Sequence, residues 1–479
     1  MAAAATVSAL LDEAPTSRFH RRAVVVSGVG FFTDAYDLFV ISTVATLVAA
    51  KWHLSTLQTS WVSGSAILAA FFGAIIFGRI ADILGRKRVY TIVAAIMILG
   101  ALGSALAPSF IWLVVARFVL GLGIGGDYPV SAVLMSEYSN RHDRGKLVGL
   151  VFSMQALGLI VGPVVAIVLL ASGIGNDATW RLLLGLGALP AAGVIYLRSK
   201  MPESPRFSAR VLGATDRALA DANSFSGGVV SADRPAADAP NKMTLRAFLT
   251  NKTMLRLVLA TAGSWFLFDY AYYGNTLSMP QILKDVSPSA SLIVKLAWTL
   301  GIFVVFALPG YALAVWKMDR IGHRRLQQQS FAILAVTFIV LGAVPQLTSS
   351  VGPFLPVFGL SYFFVEFGPN TTTFVLPSEV FPVSMRTTGH GLAAGIGKLG
   401  AFAGVFLVPT LQNHLGLRGM LIVAGLFAVG GFALTALLPE PARRSLEEVS
   451  GEELAIADTL EGLENAPALV GSGSARETD

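Results

Sequence analysis

The chain has 479 residues, 54% hydrophobic and only 13% charged, with a mean hydropathy of +0.67. Soluble domains carry about 25% charged residues, so this composition excludes a water-soluble enzyme or binding module and describes an all-α polytopic membrane protein. With no cysteine there is no disulfide, thiolate metal site or thiol nucleophile, and the net charge of +6 is laid out as a topology signal, with no nucleic-acid patch.

Taken in order, residues 1–22 form a polar N-terminal segment with Asp12 and Glu13 and no apolar core before Arg21, so the first membrane helix itself is expected to target the chain. Apolar spans fall near 23–50, 58–83, 88–106, 109–138, 145–172 and 179–199, within an N-terminal bundle of 23–200. A linker, 201–252, contains SFSGGVVSADRPAADAP, rich in small residues and proline, with no pattern of a domain. Six more spans follow near 253–283, 290–316, 326–346, 351–380, 386–411 and 417–438, giving a second bundle of 253–438. The tail, 439–479, is acidic, with SLEEVSGEELAIADTLEGL weakly helical in pattern. Arg18, Arg21, Arg22, Arg86, Lys87, Arg88, Arg141, Arg144, Lys146, Lys317, Arg320, Arg324 and Arg325 crowd one set of loops. The other set has only Lys51, Arg181, Lys284, Lys295 and Arg418, so both termini and the linker are expected in the cytoplasm.

The two halves repeat each other. Gly73-x8-Asp82 leads into ILGRKR, and Gly310-x8-Asp319 into RIGHRR. Ser136-Glu137 is followed by Arg144, and Ser378-Glu379 by Arg386 at the same spacing; Pro202-Glu203 and Pro439-Glu440 close each half. This predicts twelve transmembrane helices in two pseudo-symmetric six-helix bundles, with a substrate path between them.

The stretch Arg117–Glu137, RFVLGLGIGGDYPVSAVLMSE, is apolar yet holds an arginine, an aspartate and a glutamate. Its glycines at 121, 123, 125 and 126 let another helix approach closely, and Pro129 loosens the backbone beside Asp127 and Tyr128. It reads either as a functional site or as a packing helix whose Asp127 pairs with Arg117. Asp34 and Asp37, three apart, share a helix face, where two buried carboxylates do not readily ionise together. With Asp127 and Arg117 they form either a proton relay or a static packing pair. Trp265, Asp269 and Tyr273 make one stripe at i, i+4, i+8, and Lys398 in GIGKLG is a lone cation that pairs with Asp269, binds an anion, or does each in turn. Asn370, Gln155 and Tyr128 add neutral hydrogen-bond donors within apolar spans. Glu366, one turn from Asn370, is a further proton group or a residue of a helix interface. No cofactor motif or metal-ligand pattern stands out.

The paired loops, the R-x3-G-x-G-x-G run, the E-x6-R pairs and PESPR resemble the major facilitator superfamily over residues 20–445. FFTDAYDLFVIS, GGDYPVSAVLMSE, SWFLFDYAYYG and FGPNTTTFVLPSEVFP are similar to its phosphate:proton symporter branch. The usual fourth-helix pattern is closer to GDYPLSATIMSE, from which Val130, Val133 and Leu134 depart conservatively. The resemblance implies a non-enzymatic importer of inorganic phosphate with protons, by alternating access, in the cell membrane and as a monomer. It implies a phosphate site lined by Tyr128, Gln155, Trp265, Asp269, Tyr273, Asn370 and Lys398, and proton coupling through Asp34, Asp37, Arg117 and Asp127. It also implies a gating belt of Asp82, Arg86, Glu137, Arg144, Asp319, Arg324, Glu379 and Arg386. Import of another anion or organic metabolite, and phosphate sensing without transport, are the alternatives.

Overall fold

A computed structural model describes residues 6–226 and 243–452, and the described residues are helical with no strand. Ten helical stretches are long and apolar enough to cross a membrane. In the first half these are α1 (Arg18–Trp52), α2 (Thr56–Leu84), α3 (Arg86–Ala105), α4 (Phe110–Tyr138), α5 (Arg144–Ala171) and α6 (Asn176–Ser199). In the second half come α7 (Lys252–Leu277), then α8 (Leu292–Ile321), α9 (His323–Ala343) and α10 (Val351–Val380). Asp269, Asn275 and three tyrosines make α7 more polar than its neighbours, but at 26 residues it spans about 39 Å, enough to cross.

The last helical run, Arg386–Thr435, is 50 residues long, or about 75 Å, roughly twice a bilayer. It reverses at Gly416, whose φ of 67° and ψ of 173° are non-helical and favour glycine, dividing it into α11 (386–415) and α12 (417–435). Gly391 and Gly404 of α11 lie against the backbone of Ala74 in α2 and Tyr270 in α7, whereas Gly425 of α12 lies against Ala335 and Ile339 in α9. The result is twelve crossings in two bundles. The expected span 253–283 is shorter as a membrane helix, since α7 ends at Leu277 and a separate amphipathic helix, Met279–Val286, follows.

Short helices gather at the end of the molecule that carries the basic loops: Val7–Glu13, Pro205–Arg210, Thr215–Ser226, Leu245–Thr250 and Leu446–Ser450. The expected linker thus contains three short helices, while most of SFSGGVVSADRPAADAP lies outside the described residues. Of the tail pattern only Leu446–Ser450 is described as helix.

The glycines of α4 do what their lack of bulk permits. A Cβ on Gly121 would meet the Ala66 carbonyl of α2, and one on Gly125 the Ala70 carbonyl; Gly123 and Gly126 face Val93 of α3. Backbone stands on backbone, so no side-chain rotation relieves an added methyl group. Gly125→Val is expected to destabilise the protein by about 1–3 kcal/mol or more, read as a lowered thermal midpoint in detergent; an unchanged midpoint contradicts this packing.

Candidate functional site

At the middle of the bundle interface, polar side chains from both halves form one buried assembly. Lys398 of α11 donates from Nζ to Asp269 Oδ2 (3.0 Å) and to the Tyr273 hydroxyl (3.0 Å), both on α7. Its ammonium also lies 4.6 Å from the ring centroid of Tyr128 and 4.4 Å from that of Tyr273. A second string crosses between bundles. Asn370 Nδ2 donates to Glu366 Oε2 (2.6 Å) and to the Tyr311 hydroxyl (2.8 Å). Tyr311 of α8 donates to Gln155 Oε1 (3.4 Å), and Gln155 Nε2 to the Tyr128 hydroxyl (3.1 Å). Trp265 packs against Gly397, with its ring 6.2 Å from that of Tyr128. The seven residues expected around an anion are therefore neighbours. Glu366 sits inside the assembly rather than at a remote helix interface, and its Oε1 has no partner. Tyr311 was not singled out from the sequence, where it is one aromatic residue in an apolar span.

This centre is closed on both sides by rings. Towards the basic end, Phe374 of α10 stacks on Phe152 of α5 (4.5 Å) and meets Phe31 of α1 (4.9 Å) edge-on. Towards the opposite end, Phe39 of α1 stacks on Tyr273 (5.5 Å, 16°). Beyond that stack a cleft of about 310 Å³ opens among Ser42, Thr46, Thr59, Ser60, Ser63 and Gln281.

The aspartates on the N-terminal side are arranged differently from expectation. Asp127 does not pair with Arg117. Its carboxylate is held by Arg198, at the end of α6, through two bonds of 2.8 and 2.9 Å, with the guanidinium lying 4.1 Å from the Tyr90 ring centroid. The pair fills the space left by Gly30 on α1. Arg117 instead donates to the Asp37 backbone carbonyl (3.1 Å), ten residues and nearly three helical turns from Asp127. Asp37 abuts Gly187 of α6, so its immediate neighbours differ from those of Asp34. All four carboxylate oxygens of Asp34 and Asp37 are buried without a hydrogen-bond partner. Arg198 reads in sequence as one more charge at a helix end, which hid its role.

At the basic end the belt residues do span the bundle interface, with unexpected partners. Asp82 accepts from the backbone N–H of Thr387 (3.3 Å) and Thr388 (2.7 Å) and from the Thr388 hydroxyl (2.7 Å), at the start of α11. Asp319 accepts from the N–H of Gly145 (3.1 Å) and Lys146 (2.8 Å), at the start of α5. Glu137 takes Arg86 (3.3 Å) from its own bundle and Arg386 (3.2 Å) from the other. Glu203 receives the N–H groups of Arg86 and Lys87, and Glu440 those of His323, Arg324 and Arg325, so the two closing motifs cap equivalent helices.

Three belt residues depart from expectation. Arg144 pairs with Asp12 of the N-terminal segment (2.8 Å), and Glu379 pairs with His323 (2.8 Å). Arg324 meets Glu440 through its backbone N–H, and its Nε has no hydrogen-bond partner among the described residues. Asp12 also binds Arg206 (2.7 Å), which reaches Glu447 after α12 (2.6 Å). Burial alone would raise the Glu447 carboxyl, but Arg206, Arg386 and Arg210 hold it down at about 2.

These features define a class: a twelve-helix transporter with a polar centre between two bundles and a charged closure at one end. The chain belongs to the sugar (and other) transporter family, whose sequence profile matches residues 23–452. Its sequence is 33% identical to inorganic phosphate transporter 1-11 of Oryza sativa subsp. japonica, over 92% of this chain and 89% of that one. It is 35% identical to probable inorganic phosphate transporter 1-6 of Arabidopsis thaliana, over 92% and 95%. In fold it is similar to the proton:xylose symporter XylE bound to 6-bromo-6-deoxy-D-glucose, with a TM-score of 0.77 at 19% identity over 91% of this chain and 100% of that one.

Two outcomes follow from this geometry. Arg198→Leu strands a buried Asp127 carboxylate and is expected to cost about 3–5 kcal/mol of stability, most of it recovered in Arg198→Leu/Asp127→Leu, as measured by a double-mutant cycle. The closure is testable with a single reporter because the chain has no cysteine. Thr371→Cys, buried opposite Gly149 at the bundle interface, is expected to react with maleimide about tenfold or more faster when Asp82→Asn weakens the charge-assisted bonds at α11. Equal labelling rates would show that Asp82 does not hold the interface shut.

Proposed function

We propose that the protein imports inorganic phosphate together with protons. The observation that carries this reading is Lys398, a buried ammonium bonded to Tyr273, lying over the Tyr128 ring and balanced by Asp269, with the Tyr128 hydroxyl joined through Gln155 and Tyr311 to Asn370. A tetrahedral oxyanion has unprotonated oxygens that accept from Lys398 and the Asn370 amide, and its P–OH groups donate to a carboxylate such as Asp269 or Glu366. The same groups bond to one another when no anion is bound, so the vacant centre is not left with an unpaired cation. The substrate arrives through the Ser/Thr-lined cleft, passes the Phe39–Tyr273 stack, and leaves towards the basic end when the bundles part there.

Charge supplies the reason for coupling. Moving one negative charge inward against about 100 mV costs about 2.3 kcal/mol, and one proton per dihydrogen phosphate cancels it. Asp34 is the proton carrier on this reading: its carboxylate is buried, unpartnered, and within the electrostatic reach of Asp127, Arg198 and Lys398. Asp37, beside Arg117, is a second carrier, and Asp127, bonded twice to Arg198, is the fixed partner of that guanidinium. The basic end faces the cytoplasm, with both termini there, in the cell membrane, and the monomer contains the whole path.

Uptake of labelled phosphate into proteoliposomes is expected under an inward proton gradient, abolished by an uncoupler. Robust xylose or carboxylate uptake without phosphate uptake or competition would overturn the substrate assignment. Lys398→Ala and Asn370→Ala are each expected to weaken phosphate binding roughly ten- to hundredfold, the loss of one charge-assisted hydrogen bond. Asp34→Asn is expected to retain phosphate exchange while losing uphill accumulation, and accumulation at the wild-type level would remove it from the proton path.

A further inference from the structure

His390 is fully buried on α11, eight residues and about 12 Å along the helix from Lys398 on the side of the basic end. Its Nε2 lies 2.9 Å from the Phe374 carbonyl, to which it donates, and its Nδ1 has no hydrogen-bond partner. The ring stands edge-on to Trp265 (5.7 Å) and to Phe374 (5.4 Å), between the polar centre and the aromatic closure. Phe374 is in the last turn before α10 breaks at Leu376–Pro377, where carbonyls lose their helical donors, so the Nε2–H has a structural task. An amide side chain would perform that task equally well. The buried lone pair on Nδ1 is not required for it and is unfavourable in the closed protein.

The charged groups on the helices around it have partners of their own, although the Glu366 Oε1 has none. From α2, Asp82 is held by Thr387 and Thr388; from α7, Asp269 by Lys398; from α10, Glu366 by Asn370 and Glu379 by His323. From α4, Asp127 is held by Arg198, and on its own helix Arg386 is bound to Glu137. None of these contacts engages Nδ1.

Resting on the reading that phosphate is the substrate, we propose that His390 is a second phosphate contact, met after Lys398 on the way to the cytoplasm. When Phe374 parts from Phe31 and Phe152, the ring faces the opening below Trp265. A P–OH proton of dihydrogen phosphate moves to Nδ1, leaving the hydrogen phosphate dianion held by the new Nδ1–H, while Nε2–H stays on the Phe374 carbonyl. Loss of that proton to cytoplasmic water restores the neutral ring and lets the anion go. Proton and phosphate thus leave by one event, and cytoplasmic acidity retards it.

The test is His390→Gln, whose amide N–H keeps the Phe374 carbonyl satisfied but does not titrate. Exchange of labelled phosphate is followed in membrane vesicles with the same pH on both sides, so that no proton gradient enters. Once the bundles part and cytoplasmic water reaches the ring, its neutral fraction is expected to fall about fourfold between about pH 7.5 and about pH 6, as for a hydrated imidazole, and the wild-type rate to fall by that factor relative to the variant. Parallel pH profiles would overturn the inference and leave phosphate import standing, whereas absence of any wild-type phosphate exchange would remove both. Modification of His390 by diethyl pyrocarbonate, read by mass spectrometry in the Asp82→Asn protein, gives a check independent of the histidine variant. Phosphate is expected to slow it, and equal rates with and without phosphate count against the contact.

Discussion

Each bundle closes on the other through a carboxylate set against the start of a helix. The first N–H groups of a helix have no partner within it, and they sit at the positive end of its dipole, so a buried carboxylate there meets both hydrogen bonds and charge. Asp82 on α2 meets α11 this way, and Asp319 on α8 meets α5. Around these two contacts the remaining charges fall into place. Arg86 lies between Asp82 (3.0 Å) and Glu137, and Glu137 reaches across to Arg386. The N-terminal segment and the residues after α12 add Asp12 and Glu447 to the same cluster of arginines. Because removing any one partner leaves a buried charge uncompensated, the closure is made of mutually dependent parts.

The polar centre follows the opposite principle, built largely from neutral groups. Tyr128, Gln155, Tyr311 and Asn370 form a hydrogen-bonded string across the interface, and each can exchange its partner for an oxyanion oxygen without stranding a charge. Among the described residues only Lys398 and Asp269 form an ion pair there, beside the Phe39–Tyr273 stack. Rigid charge at the end and adaptable neutral donors in the middle suit a molecule that must hold one end shut while its centre changes occupant.

Much of this was readable in the sequence, for identifiable reasons. Helix spans depend on hydropathy, so eleven of the twelve crossings lie in ten long apolar runs, the last run holding two, and the more polar α7 is recognisable by its length. The Asp82 and Asp319 motifs stand out because they are duplicated, and Lys398 and Asp269 because they are charges within apolar spans. Partners did not stand out. Arg117 and Asp127 share a helix, which suggested a pair, but ten residues along it separate them too far, and Asp127 found Arg198 instead. His323 occupies in the second repeat the place of Arg86 in the first, yet a histidine in RIGHRR reads as one more loop residue until its two nitrogens are seen between Asp319 and Glu379. Asp12 gave no signal, since nothing in a polar leading segment says which distant arginines it will meet.

The reciprocity of the two helix caps has a consequence for the origin of the fold. Asp82 serves the helix that follows the second half's E-x6-R motif, and Asp319 serves the helix that follows the first half's. Residue i of one half meets j of the other, and j of the first meets i of the second, which is the rule of contact in a twofold-symmetric dimer. A six-helix half bearing one such aspartate and one such helix start is complementary to a copy of itself. Fusion of two copies into one chain needs no new interface, only a connection, and it then frees each half to diverge, as arginine at 86 and histidine at 323 already have.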